Sequence, residues 1–169
     1  KLLYFFFPLL GIALVIIFIR NFVAQKRLSQ SIPFVLYSIG KRKGFIKTVH
    51  TYGHLIASSI TVGLGGSVGL EGPSVVTGSA IGSNISQLFH LNHKRKILLL
   101  GCGAAAAISA LFNSPISGVI FVLEIILVDL KITFLIPLMF SSVSAFIVAW
   151  AISDQNKLFG DIFIEKFTA

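Results

Sequence analysis

Glu71 is the residue whose surroundings in this sequence ask for chemistry. It is the one carboxylate between Lys1 and Leu123. It stands within Gly63-Leu64-Gly65-Gly66-Ser67-Val68-Gly69-Leu70-Glu71-Gly72-Pro73, where five glycines and a proline fall among eleven residues. A helix does not run comfortably through such a segment, because ordering glycine costs the most entropy and proline lacks an N–H. The backbone is expected to break here and a new helix to open at Gly72-Pro73. The first amides of a helix have no intrahelical acceptor, and the helix dipole adds partial positive charge at that end, so an anion is attracted to it. A carboxylate at that end could occupy the anion's place when ionised and leave it when protonated. One side chain would then act as gate and proton sensor. The plainer alternative is a solvated glutamate in an external turn.

Other chemistries are less well served. Glu71, Glu124 and Asp129 are too few and too dispersed to form a carboxylate pair. His50 and His54, and His90 and His93, have the i, i+4 and i, i+3 spacings of ligands on one helix face. They lack acidic or cysteine partners nearby and flank basic loops, so interface histidines are expected, with no metal and no cofactor. The glycine-rich segment is not a phosphate loop, since no Lys-Ser/Thr pair follows its glycines. The lone Cys102 excludes an intrachain disulfide and gives no metal site. No enzymatic role is expected.

The elements that must position Glu71 are membrane helices. The chain is 55% hydrophobic and 12% charged, with a mean hydropathy of +0.92. Soluble domains carry about a quarter charged residues. Residues 2–19, 97–123 and 132–153 contain no charge, and roughly 20 apolar residues at 1.5 Å each cross a hydrocarbon layer of about 30 Å. The first run lacks a small-residue cleavage site and leads into a basic segment, so a spanning helix is favoured over a signal peptide. The sequence begins at Lys1 without an initiator Met, and a piece of a longer protein is expected.

Basic residues fall in two clusters, one from Arg20 to Lys47 and one at Lys94, Arg95 and Lys96. Short basic loops favour the cytoplasmic side, and with no soluble domain to present them, no nucleic-acid partner is expected. The segment between the clusters must leave that side and return, as helices over 51–70 and 73–92 around the break. A helix over 94–112, an interruption at Asn113-Ser114-Pro115, and helices over 116–128 and 132–152 complete the set. Pro115 suits a first turn, with Ser114 or Asn113 as cap. Small residues four apart, Gly78 and Gly82 or Gly103 and Ala107, let membrane helices approach closely and are read as packing. Irregular backbone at membrane depth is tolerated only when buried in protein or lining a watery cavity, and an ionisable residue there marks a functional site. Residues 1–153 form the transmembrane region; 154–169 are a loop or the start of a further segment.

Gly65 to Val75, with Gly69-Leu70-Glu71-Gly72-Pro73, resembles the GxEGP segment of the CLC family of voltage-gated chloride channels and proton/chloride antiporters. Ala104-Ala105-Ala106-Ala107, Phe112-Asn113-Ser114-Pro115-Ile116-Ser117-Gly118 and Phe121-Val122-Leu123-Glu124 resemble the two helices that follow it. The resemblance implies an all-α fold of tilted and broken helices, here the first half of an inverted repeat. It also implies a homodimer with one pathway per subunit, a chloride-type anion as cargo, and residence in the plasma (bacterial inner) membrane bilayer. Glu71 would be the gate, with the amides of Leu70, Glu71 and Gly72 as outer anion ligands and Gln30 and Ile32 around an inner site. The family's pore tyrosine and GxFxP segment do not occur in these residues, so the piece is expected to be inert alone.

Two departures bear on selectivity and coupling. Ser29-Gln30-Ser31-Ile32-Pro33 corresponds to the family's GSGIP, and Gln30 replaces the serine that contacts the central anion, so chloride preference does not carry over. A Gln side chain still offers two N–H donors. Ile125 replaces the second acid of proton-coupled members and cannot relay protons, which tilts the expectation to a passive channel over a proton-coupled anion antiporter. From a different class, the alternative is a non-transporting membrane scaffold whose glycine-rich break is only a turn.

Overall fold

The computed structural model describes residues 3–22, 32–67, 69–126 and 134–152. Among them the chain is α-helical without strands: α1 (Leu3–Phe22), α2 (Ile32–Arg42), α3 (Val49–Gly63), α4 (Glu71–Leu88), α5 (His93–Phe112), α6 (Pro115–Phe121) continuing as a π-helical turn (Val122–Ile126), and α7 (Leu135–Ile152). His93–Phe112 and Leu135–Ile152 are each long and apolar enough to cross a membrane, while Phe7–Phe22 and Pro115–Ile126 are apolar but shorter. Large apolar side chains face outward, among them Phe140 on α7 at 77% exposure and Ile116 on α6 at 72%. A chain whose apolar surface looks outward is built for an apolar solvent.

Helix ends are set by residues that adopt left-handed backbone. α3 stops at Gly65, φ +81, where Gly66 N–H donates to Thr61 O at 2.8 Å and Gly65 N–H to Val62 O at 3.0 Å. This bond pair is the closure that glycine supports at no steric cost. His90 and Asn113 take the same conformation, with Leu91 N–H on Ser86 O and Ser114 N–H on Ser109 O. α3 therefore ends seven residues before the expected limit. α4 starts at Glu71, two residues before Pro73, because the first helical turn needs no N–H from proline.

α4 is the central helix, with residues 75–80 buried on every side. Its small residues let α5 approach backbone to backbone, as the four-residue spacing predicts: a Cβ on Gly82 would overlap Leu99 O. Hydroxyls join the other helices. Ser109 Oγ donates to Ser142 O, Ser142 Oγ to Pro115 O and Ser141 Oγ to Cys102 O, at 2.7–2.9 Å. The α2–α3 loop is pinned to α4 by Ser83, fully buried, whose hydroxyl donates to Gly44 O at 2.6 Å and accepts Ile46 N–H at 3.0 Å. Gln87 Nε2 adds a bond to Ile46 O.

Candidate functional site

The glycine-rich break closes α3 and delivers Glu71 as the first residue of α4. Leu70 precedes it as the cap residue, and Ser74 N–H donates back to Leu70 O at 3.0 Å. The amides of Glu71, Gly72 and the cap residue therefore stand at the helix start. Leu70 and Glu71 are exposed and Gly72 is half-buried. The residues of this chain thus leave the Glu71 side chain on the surface, whereas the gate expected from the sequence needs an enclosed carboxylate.

Below Glu71 the same face of α4 leads into an open cavity of about 520 Å³ between α3, α4 and α5. It is lined by Leu55, Ser74, Thr77, Gly78, Ile81 and small residues of α5. Glu71, Ser74, Gly78 and Ile81 follow one helical face. The Thr77 hydroxyl is buried with no hydrogen-bond partner among the described residues, as is that of Ser79. In the sequence Thr77 carries no signal beyond a hydroxyl within a run of small residues.

Gln30 lies outside the described residues. Ile32 opens α2 and is half-buried against the core. Phe34, in the same turn, packs its ring on His50 with centroids 4.6 Å apart, and His50 Nδ1 lies 3.4 Å from His54 Nε2. The start of α2 therefore meets the start of α3. Glu71 lies beyond the other end of α3, whose 15 residues rise about 22 Å. The α3–α4 pairing agrees, since Asn84 Nδ2, far along α4 from Glu71, donates to Thr51 Oγ1 at 2.9 Å. Ile32 and Glu71 are thus held apart and do not form one cluster.

Glu124 is exposed on the π-helical turn, and Ile125 is half-buried against the core. The extra residue of a π turn re-aims the side chains around it, and such turns recur at functional sites. Among the described residues His50 and His54 gather no third metal-ligating side chain.

The family model for the voltage gated chloride channel matches residues 11–166. The chain is 39% identical over 83 residues to chloride channel protein CLC-e of Arabidopsis thaliana, covering 49% of this chain and 11% of that protein. It is 36% identical over 100 residues to the H(+)/Cl(-) exchange transporter ClcA of Vibrio cholerae, covering 57% and 21%. With ClcA of Citrobacter koseri it shares 42% identity over 65 residues, covering 38% and 14%. The matched part is thus between a tenth and about a fifth of each relative's length. No solved structure matches the chain.

Proposed function

Because this chain belongs to the voltage-gated chloride channel family, we propose that it forms part of a transmembrane anion pathway with Glu71 as its gate. The observation that carries the reading is the place of Glu71: the first residue of a long, centrally packed helix, directly after a glycine break. Unsatisfied amides and the positive end of α4 favour negative charge there. An ionised Glu71 competes with the anion for that place, and a protonated one yields it. Because Glu71 is exposed on this chain, this reading requires the opposing wall of the pathway to come from elsewhere in the full-length protein.

The same reading gives Gln30 and Ile32 the inner anion site, where Gln30 N–H groups and α2 amides meet a small inorganic anion, with Ile32 about the length of α3 from Glu71. The cargo is chloride or a related anion, the full-length protein a homodimer, and the membrane the plasma (bacterial inner) membrane. Ile125 beside Glu124 favours passive conduction. Proton-coupled antiport stays as the second reading, because relatives named as H(+)/Cl(-) exchange transporters match 100 and 65 residues of this chain.

The test is anion flux with simultaneous proton recording on full-length protein in liposomes, comparing the parent with Glu71→Gln. A change in flux with a flattened pH profile supports the gate, and unchanged flux at every pH rejects it. Uphill proton movement driven by an anion gradient would replace the channel reading with antiport. Absence of anion flux in every condition would leave the scaffold.

A further inference from the structure

The basic residues at 41–47 and at 94–96, about 50 residues apart in sequence, meet in one surface patch. His93 Nδ1 lies 3.3 Å from Lys43 O, and the Lys96 side chain passes over Gly44. Lys41, Arg42, Lys43 and Lys47 thereby adjoin the cations of residues 94–96, all exposed except half-buried Lys96. The patch is held in shape. Gly44, φ +76, and Lys43, φ 51, turn the chain, the Ser83 and Gln87 bonds anchor it, and the Arg42 guanidinium rests 5.5 Å from the Tyr37 ring centroid. The two carboxylates among the described residues, Glu71 and Glu124, form no ion pair with it.

Helix stability accounts for Lys41 and Arg42, which fall in the last turn of α2, but not for the charges at 94–96. The cations at 94–96 fall in the first turn of α5, the end where positive charge is unfavourable. Cytoplasmic orientation asks only for basic residues in the loops, not for their convergence. The patch also has an apolar border: Phe45, Leu88 and Phe89 are exposed at 44%, 75% and 68%. A soluble anion would have no use for that border. A phospholipid has both a phosphate for the cations and a glycerol and upper acyl region for the apolar side chains, and clustered cations beside membrane helices attract anionic headgroups.

We propose that this patch binds the phosphate headgroups of anionic phospholipids in the cytoplasmic leaflet of the membrane in which the chain sits. The inference rests on the membrane reading and is independent of anion transport, so a protein that moves no anion would still show it.

The test is lipid retention by full-length protein, read by native mass spectrometry after equilibration with equal amounts of phosphatidylglycerol and phosphatidylcholine. Phosphatidylglycerol should be retained about tenfold over phosphatidylcholine. The combined variant Lys43→Gln, Lys94→Gln, Arg95→Gln should bring the ratio near one, while Lys43→Arg, Lys94→Arg, Arg95→Lys, which keeps every charge, should not. On the parent protein, roughly 0.5 M salt, which shortens the screening length to a few ångströms, should lower the ratio severalfold. Equal retention of the two lipids, an equal loss in both variants, or a salt-insensitive ratio would overturn the proposal. So would displacement of phosphatidylglycerol by millimolar inorganic phosphate, since the patch would then read bare phosphate and not a lipid.

Discussion

Gly78 and Gly103 lie backbone against backbone, so that a Cβ on either would overlap the carbonyl oxygen of the other. In a lipid solvent, where apolar burial gives helices little reason to associate, such close approach supplies the dispersion energy that holds them. The contact fixes α4, and with it the height and direction of the helix start that carries Glu71.

Gly103→Val should therefore be among the most damaging single changes. Overpacking costs about 1–3 kcal/mol where neighbours can adjust, and here the overlapped atom is backbone, so the upper end or beyond is expected. Gly40→Ala meets open space and should be close to neutral. Thermal unfolding midpoints of the full-length protein in detergent compare the two.

Ser83→Ala should cost about 1–3 kcal/mol, because it leaves the buried Ile46 N–H and the Gly44 carbonyl without their partner. Ser144→Ala, at an exposed position, should stay within about 0.5 kcal/mol. Limited proteolysis of the α2–α3 loop should report the difference as faster cleavage in the Ser83 variant.

Asn113 closes α5 in left-handed backbone at φ 51. Asn113→Gly should be tolerated, whereas Asn113→Val should lose about 1–2 kcal/mol, because a β-branched side chain is excluded from the left-handed backbone that asparagine tolerates. Equilibrium unfolding in denaturant checks the order Gly, Asn, Val.

Under the proposed gate, acid protonates Glu71 and releases the anion's place, so flux should rise as pH falls. Glu71→Gln mimics the protonated side chain at every pH, so its flux should match the parent's acid limit and be flat. A variant whose flux still rises in acid would assign the proton to another group.

Gln30→Ser should shift selectivity towards chloride. Exchanging two amide donors for one hydroxyl changes the site by about one hydrogen bond, roughly 1 kcal/mol or a fivefold change in the chloride-to-nitrate flux ratio. Ion competition in liposomes measures it, and an unchanged ratio would remove Gln30 from the pathway.

The break at residues 63–73, the helical class and the close α4–α5 packing were legible in the sequence. Glycine, proline and small residues act on their own backbone and on whatever neighbour arrives. The ends of the helices were less legible. Gly65 and Asn113 are residue types that favour left-handed backbone, but His90, a weaker signal, closes α4 the same way. The π-helical turn over Val122–Ile126 has the composition of an ordinary apolar helix, so nothing local marks it.

By itself the sequence determined the solvent for which the chain is built, the place where the backbone must break, and the lone carboxylate beside that break. These follow from local sterics and from the cost of charge in hydrocarbon. Tertiary structure alone decided that Glu71 is exposed on this chain, that Ile32 and Glu71 lie at opposite ends of α3, and that Lys43 and His93 meet. Distances between segments far apart in sequence depend on how whole helices pack, and no residue type encodes its distant neighbour.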